Sequence, residues 1–162
     1  MNIPIGKVEE QQVPFSESEP FAKIAKLMAS GFNGYMVATA EGCSGMEEGL
    51  LMISDAAIIG TVFDGLRVNK QLYGVSALRL VLNLLKAGRG VFDLNRLSKQ
   101  QIDLIMAFNE KIKLTKPVGS ETLSKLEPKA YDAGIVSKEL VVEETTKESK
   151  GKLLKKFGLG SI

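Results

Sequence analysis

The side chains that could do chemistry in this chain are few, and none comes with an activating neighbour. Cys43 is the single cysteine and lies in a glycine-rich turn, and the sequence contains no histidine. A nucleophilic cysteine needs a base or a cation that favours the thiolate. The sequence around Cys43 offers neither, and without histidine the usual general base near neutral pH is missing. We therefore expect an inert turn cysteine.

Several carboxylates lie close to the same turn and could be imagined as a metal site. Glu47 and Glu48, together with Glu41 and Asp55, offer the oxygen atoms that hard cations prefer. Calcium-binding loops place such ligands at regular spacing along one short loop, and that spacing is absent. We expect hydrated strand ends, and we predict no metal and no other cofactor.

Two glycine-rich segments and one polar stripe complete the candidates. Gly42–Gly45 and Gly88–Gly90 match neither phosphate-binding fingerprint, so we expect turns with positive φ. Arg79, Asn83 and Lys86 recur at helical spacing, which indicates the exposed edge of a buried helix more than a ligand site. Since no nucleophile, base and orienting group converge, the sequence predicts a protein that is not an enzyme.

The C-terminal tail is the strongest functional candidate. Residues 147–162 contain five lysines and one glutamate, and Leu153, Leu154 and Phe157 fall on one side of a short helix. A basic amphipathic segment of this kind suits the hydrophobic groove of a protein partner. These three residues are therefore predicted to anchor a partner. A free or self-docked terminus is the alternative.

The elements that would position these residues follow from apolar periodicity. A first helix is predicted from a Ser18 cap to Gly31, and a long apolar helix from Val75 to Ala87. A capping box at Ser98–Gln101 starts a third helix that ends by Lys116 at the latest. Its inward residues are predicted to be Ile102, Leu104, Ile105, Phe108 and Ile112. The predicted strands are Tyr35–Ala40, Glu48–Ser54, Ala57–Phe63 and Val91–Leu94.

These elements predict an α+β fold with a four-stranded antiparallel meander packed against about three helices. Residues 1–116 form this domain, with an extended lead-in over 1–17 and a polar loop over 64–73. Residues 117–146 read as a flexible linker, and 147–162 as the basic amphipathic tail helix. The linker and tail make up a flexible C-terminal extension.

Composition limits the classes of function. The 162 residues are 44% apolar and 25% charged, which suits one globular domain with an extension. A net charge of +2 makes a nucleic-acid-binding face unlikely on the main domain. A lone cysteine, no secretory signal and no long apolar run predict a cytoplasmic protein without a membrane span.

An ordered set of landmarks runs through the middle of the chain. They are Gly34-Tyr35, Gly45–Gly49, Asp55–Gly60, Gly74–Leu78, Gly90–Asp93, Leu97-Ser98 and Phe108–Glu110. In this order they resemble an archaeal family of uncharacterised proteins, known only as a domain of unknown function. The same order of elements is similar to PATAN-like domains of bacterial response-regulator proteins, which are regarded as protein-interaction modules. Ala56 departs from the family pattern, which has glycine after Asp55.

The resemblance implies an adaptor-like role, and the leading expectation is a non-enzymatic protein-interaction module in archaeal signalling or assembly. A small-ligand sensor, with a pocket between the Val75–Ala87 helix and the sheet, is the alternative. Weak nucleic-acid binding through the tail is a third reading. Self-association is also expected, because a nearly all-apolar helix needs something to cover it.

Overall fold

The fold is built on one antiparallel sheet, seen in a computed structural model that describes residues 3–140. Seven strands pair in the order β1-β6-β2-β3-β4-β5, and β7 pairs with the free half of β4. The strands are β1 Lys7–Pro14, β2 Gly34–Gly42, β3 Gly45–Ser54, β4 Ala57–Gly65, β5 Lys70–Tyr73, β6 Gly90–Arg96 and β7 Lys113–Gly119. The helices are α1 Pro20–Ala29, α2 Val75–Leu84, α3 Lys99–Phe108 and α4 Ser120–Leu126, with a 3₁₀ turn at Glu110–Ile112.

The described residues divide into two units. The first ends at Tyr131 and the second begins at Asp132, with a helix over 133–140 as its described part. Across residues 3–140, every helix falls short of the length and apolarity that crossing a lipid bilayer requires. The predicted tail helix and its anchors Leu153, Leu154 and Phe157 lie outside the described residues, so they stay predictions.

The α+β class and the antiparallel sheet are confirmed, and the sheet is larger than predicted. The four predicted strands correspond to β2, β3, β4 and β6, but β6 pairs with β2 and not with β4, so these four do not form a simple meander. Register shifts and a positive φ at Gln12 break the alternation of β1. The four-residue β5 is too short to show a period, and Pro117 in β7 is tolerated because β7 lies at the sheet edge.

Two helix starts show how side chains satisfy the first free N–H groups. In α1 the cap is Glu19 instead of the predicted Ser18, and its Oε2 accepts from the backbone N–H of Ala22 at 2.7 Å. The capping box at α3 is confirmed. Ser98 Oγ accepts from the Gln101 N–H at 3.1 Å, and Gln101 Oε1 accepts from the Ser98 N–H at 2.9 Å.

Within 117–140, the segment predicted as linker, the structure has ordered elements. β7 continues to Gly119 and α4 follows it directly. Val118 and Leu123 are buried and hold this segment in the first unit. Two anchors separated by polar residues give too little periodicity to be recognised from sequence.

One face of the sheet is covered by α2, and we call it the covered face. Leu80, Val81 and Leu84 of this helix are fully buried. The approach is closest at Gly49 of β3, where an added Cβ would lie 2.9 Å from a Val81 methyl carbon. Apart from Val75, which is 60% exposed at the start of α2, this apolar surface is covered largely within the chain, and self-association stays a prediction.

The opposite face is covered at one end only. There Ile102 and Ile105 of α3, with Ile112 of the 3₁₀ turn, pack on strand residues such as Tyr35 and Met52. The prediction that Leu104 and Phe108 point inward is wrong, since they are 59% and 79% exposed. The cause is geometric: α3 stops at Phe108, and only the Ile102 and Ile105 side of this short helix meets the sheet.

Substitution of Gly49 by alanine tests the contact between α2 and the covered face. The new methyl group must displace Val81, a stiff side chain in a fully buried site, so we expect Gly49→Ala to lower the free energy of unfolding by about 1–3 kcal/mol. Gly88→Ala is the matched control, because Gly88 is exposed and nothing lies within 4 Å of its added Cβ. Urea unfolding followed by circular dichroism measures both, and equal stabilities would contradict this packing.

Candidate functional site

The β2–β3 turn, which contains Cys43, takes part in a structural contact. The Cys43 N–H donates to the Tyr131 hydroxyl oxygen at 2.7 Å, and that hydroxyl donates to Glu47 Oε1 at 3.3 Å. Ser44 Oγ donates to the same carboxylate oxygen at 2.8 Å, and Glu47 is fully buried. Burial raises the pKa of the Tyr131 hydroxyl, which therefore stays a donor. Glu47 thus ties the β2–β3 turn to the end of the first unit.

The four carboxylates near this turn do not converge. Glu47 and Glu48 are adjacent in a strand, so they project to opposite faces of the sheet. Asp55 pairs with Lys99 at 2.6 Å, and Glu41 faces Arg89 at 3.8 Å. No His, Cys, Asp and Glu residues within the described range are grouped so that three or more could hold one metal ion.

In the predicted polar stripe Arg79 is exposed as expected, whereas Asn83 and Lys86 are used inside the molecule. Asn83 is fully buried, so its prediction as part of an exposed edge is wrong. Lys86 pairs with Glu127 at 2.6 Å and with Glu19 at 3.3 Å, and its Nζ lies 4.5 Å from the centre of the Phe21 ring. These contacts join α1, α2 and the end of α4.

The glycine-rich segments are turns, with one difference from prediction. Gly45 has a φ of +100°, as expected for a turn that favours glycine. Gly88 and Gly90 do not have positive φ. Gly90 is instead needed for space, because an added Cβ would lie 2.4 Å from the Phe15 ring.

The part of the sheet that α3 leaves uncovered is the candidate site, and we call it the open face. Strand register places ten side chains there in two rows, because directly opposed residues of antiparallel strands project to the same side. The first row is Asp93, Val37, Leu50, Val62 and Tyr73. The second row is Val91, Thr39, Glu48, Asp64 and Gln71.

A shallow hollow of about 210 Å³ lies on the open face. Its floor is apolar, formed by Val37, Leu50 and Val62, and its rim carries polar groups. Glu48 and Asp64 are on this rim, and Ile3, Tyr35 and Gln71 complete the lining. No pattern in the sequence indicates this site, because its residues come from separate strands whose register is known only from the fold.

Two of the three carboxylates on the open face are held by neutral donors. Asp64 Oδ2 accepts from Gln71 Nε2 at 2.6 Å, and Gln71 in turn accepts from the Tyr73 hydroxyl at 2.5 Å. Asp93 Oδ1 accepts from the Gln12 N–H at 2.7 Å. The geometry therefore fixes these carboxylates without neutralising them.

Glu48 is the third carboxylate and has no hydrogen bond or ion pair to the described residues. It lies directly opposite Asp64 across the strand pair, an arrangement that is destabilising for like charges. Partial burial raises the pKa of the Glu48 carboxyl, and the charges of Asp64 and Asp93 raise it further. The open face therefore holds negative charge at an energetic cost to the fold.

An exposed apolar patch lies next to the open face, and the N-terminal segment connects the two. Ile3 lines the hollow, and the next residue, Pro4, lies against α3, where its carbonyl accepts from Tyr35 Oη at 3.5 Å. Beyond it Ile5, Leu104 and Phe108 are between 59% and 80% exposed. Apolar surface thus continues from the hollow to the outer side of α3.

The raised pKa of Glu48 predicts a pH-dependent effect of Glu48→Gln on stability. A raised pKa means that ionisation of Glu48 weakens the fold, so this penalty is absent at acid pH and fully present at neutral pH. We expect the variant to unfold about 1–2 °C higher than the native chain near pH 7, because a surface change is worth at most about 0.5 kcal/mol. That difference should vanish near pH 4.

Thermal unfolding between about pH 4 and pH 7.5 measures this effect. Glu121→Gln is the matched control, since Glu121 is 86% exposed and pairs favourably with Lys125 on α4. A Glu48→Gln variant that is less stable than the native chain at neutral pH would contradict the charge repulsion.

Comparison with known proteins agrees with the landmarks in the sequence. The sequence model of a family described as "uncharacterized protein conserved in archaea", domain of unknown function 2226, matches residues 1–109. No curated protein and no solved structure is significantly similar to the chain. The match extends from the N-terminal segment through α3, so it includes all ten residues of the open face. The chain therefore belongs to this archaeal family of uncharacterised proteins.

Proposed function

We propose that this chain is a non-enzymatic protein-interaction module whose binding surface is the open face. The observation that carries the proposal is an open hollow with an apolar floor, in which Val37 is half-buried and Leu50 and Val62 are 8% and 7% exposed. The exposed Leu104 and Phe108 beside it extend the apolar surface. Contiguous exposed apolar surface with a polar rim is typical of protein-binding sites.

The size of the hollow favours a protein over a small molecule. Pockets for small ligands usually enclose about 300–1,000 Å³ and bury most of the ligand. The hollow is about 210 Å³ and open to solvent. At the interface expected for a sensor pocket, α2 packs so closely on β3 that a Cβ added at Gly49 would lie 2.9 Å from a Val81 methyl carbon, which leaves no room for a ligand at that point.

The non-enzymatic part of the proposal rests on how the reactive side chains are used. Glu47 and Lys86 have structural partners within the first unit. On the open face the ionisable side chains are Glu48, Asp64, Asp93 and Tyr73, with no nucleophile and base in contact among them. The same reasoning supports the comparison with PATAN-like domains, because an α+β domain of this kind offers a surface for binding rather than groups for catalysis.

The basic tail supplies a second contact in this proposal. Its five lysines and the apolar Leu153, Leu154 and Phe157 suit a groove on the protein that the open face binds. Two linked contacts raise the overall affinity without strengthening either one.

Blocking the open face should abolish partner binding. Thr39 lies between Val91 and Glu48 in the second row, so an arginine there would cover the hollow and pair with Glu48. We expect Thr39→Arg to reduce recovery of a cross-linked protein from archaeal cell extract more than about tenfold, as hot-spot losses do. Ser76→Arg, which adds the same charge on exposed α2 surface, is the matched control.

Both variants must first show the native thermal unfolding curve, so that a loss of binding is not a loss of fold. Equal recovery of the same protein by Thr39→Arg and Ser76→Arg would remove the open face as the binding surface.

Removal of the tail tests the second contact. A chain that ends at Thr146 lacks all three predicted anchors and all five tail lysines. We expect it to keep the native unfolding temperature and to bind the recovered protein at least about tenfold more weakly, the lower range for linked contacts. Titration of the purified partner by fluorescence anisotropy measures this affinity. An unchanged affinity would exclude the tail from the interface.

A further inference from the structure

The last stretch of the first unit, residues 120–131, is held by few contacts, and we call it the strap. It contains α4 and ends at Tyr131, the last residue of that unit. Leu123 is buried, Pro128 and Tyr131 are half-buried, and the other residues of the strap are exposed. Segments with few buried apolar contacts open at a lower free energy than the core of a domain.

Three side chains of the strap contact the rest of the first unit at separate points. Leu123 lies beside α1 and lines a hollow of about 220 Å³, so the strap leaves space in its groove. Glu127 pairs with Lys86 at 2.6 Å. The Tyr131 hydroxyl accepts from the Cys43 N–H at 2.7 Å, and the Tyr131 ring packs on a small buried cluster. The members of that cluster are Ala40, Leu84 and Ala87.

Both charged groups that the strap contacts keep a partner without it. Lys86 also pairs with Glu19 at 3.3 Å. Glu47, which accepts from the Tyr131 hydroxyl, also accepts from Ser44 Oγ at 2.8 Å. Removing one partner of a buried charge is costly because the charge is left alone. Release of the strap avoids that cost at both places.

The chain just before the strap has the features of a hinge. Val118 is buried and pairs with Ile58 of β4, so β7 is held up to this point. Gly119 follows at the junction of β7 and α4, and nothing lies within 4 Å of a Cβ added there. Residues at the ends of elements absorb the dihedral changes of hinge motions.

We propose that the strap opens as one unit about Gly119 while the sheet and the other helices stay folded. Opening moves Leu123 and Tyr131 away together and uncovers apolar surface on α1 and at the C-terminal end of α2. This surface is separate from the open face, because Ala40 follows Thr39 in β2 and projects to the other side of the sheet. The strap is therefore a built-in cover that makes a second apolar surface accessible only in its open state.

Native-state hydrogen exchange, followed by NMR on the full-length chain, tests whether the strap opens separately. The reporter is the Cys43 amide, which the Tyr131 hydroxyl protects in the closed state. We expect it to exchange at least about hundredfold faster, relative to its intrinsic rate, than the Leu51 amide in the inner strand β3. Equal protection of the two amides would mean that the strap opens only when the whole unit unfolds, and would overturn the proposal.

A change at the other end of the strap tests whether it opens as one unit. Leu123→Ala removes an apolar anchor, so we expect the Cys43 amide to exchange more than about tenfold faster, because truncation of a buried leucine usually costs at least that factor. Leu126→Ala is the matched control: Leu126 is 45% exposed on the same helix, so its truncation should change the exchange rate less than about twofold. No acceleration by Leu123→Ala, or equal acceleration by both variants, would show that Tyr131 is released independently of Leu123 and would exclude a single unit.

Dye binding measures the surface that opening uncovers. Leu123→Ala combined with Tyr131→Ala removes both apolar anchors and leaves the strap open in most molecules. We expect this variant to give at least about threefold higher fluorescence with anilinonaphthalene sulfonate than the Leu126→Ala control, while the Leu51 amide stays protected. Unchanged fluorescence contradicts the uncovered surface. Loss of protection at Leu51 contradicts a sheet that stays folded without the strap.

Discussion

The packing of α2 on the sheet at Gly49 is the constraint on which the other features of the first unit depend. A helix with Leu80, Val81 and Leu84 all fully buried must be covered almost entirely, and Gly49 allows it to approach β3 closely. Backbone approach at a glycine leaves no space for a ligand between helix and sheet. This side of the sheet is thus covered by α2 where the helix meets β3.

The opposite face receives much less cover because only α3 and the 3₁₀ turn pack there. Ile102 and Ile105 bury one end of that face, while the rows that begin with Asp93 and Val91 remain open. An antiparallel sheet tolerates this arrangement, since one of its faces can meet solvent. Leu50 and Val62 in the apolar floor of the hollow are nevertheless buried, and the exposed apolar surface of this region is supplied by Leu104 and Phe108 beside it.

The sequence predicted those elements whose signal is local. The capping box at Ser98–Gln101 and the strands of the β2–β3–β4 segment were readable because caps, turns and short apolar runs act between near neighbours in the chain. β1 and β7 were missed because their partners are distant or their alternation is broken, and β5 was missed because four residues are too few to show a period. Tyr131 was missed for the same reason: its hydrogen bond to Glu47 joins residues 84 positions apart.

The candidate site was not predictable from residue types. Its negative charge depends on the strand register, which decides which charged side chains lie next to one another. At two other places on the described surface an acidic side chain has a cation beside it: Glu9 pairs with Arg96 at 2.5 Å and Asp55 with Lys99 at 2.6 Å. Register places Glu48 opposite Asp64 instead, and burial adds to the penalty. An opposed pair that served stability alone would carry opposite charges or two hydroxyl groups. The Glu48–Asp64 pair therefore costs the fold stability at neutral pH, and residue types alone do not reveal this cost.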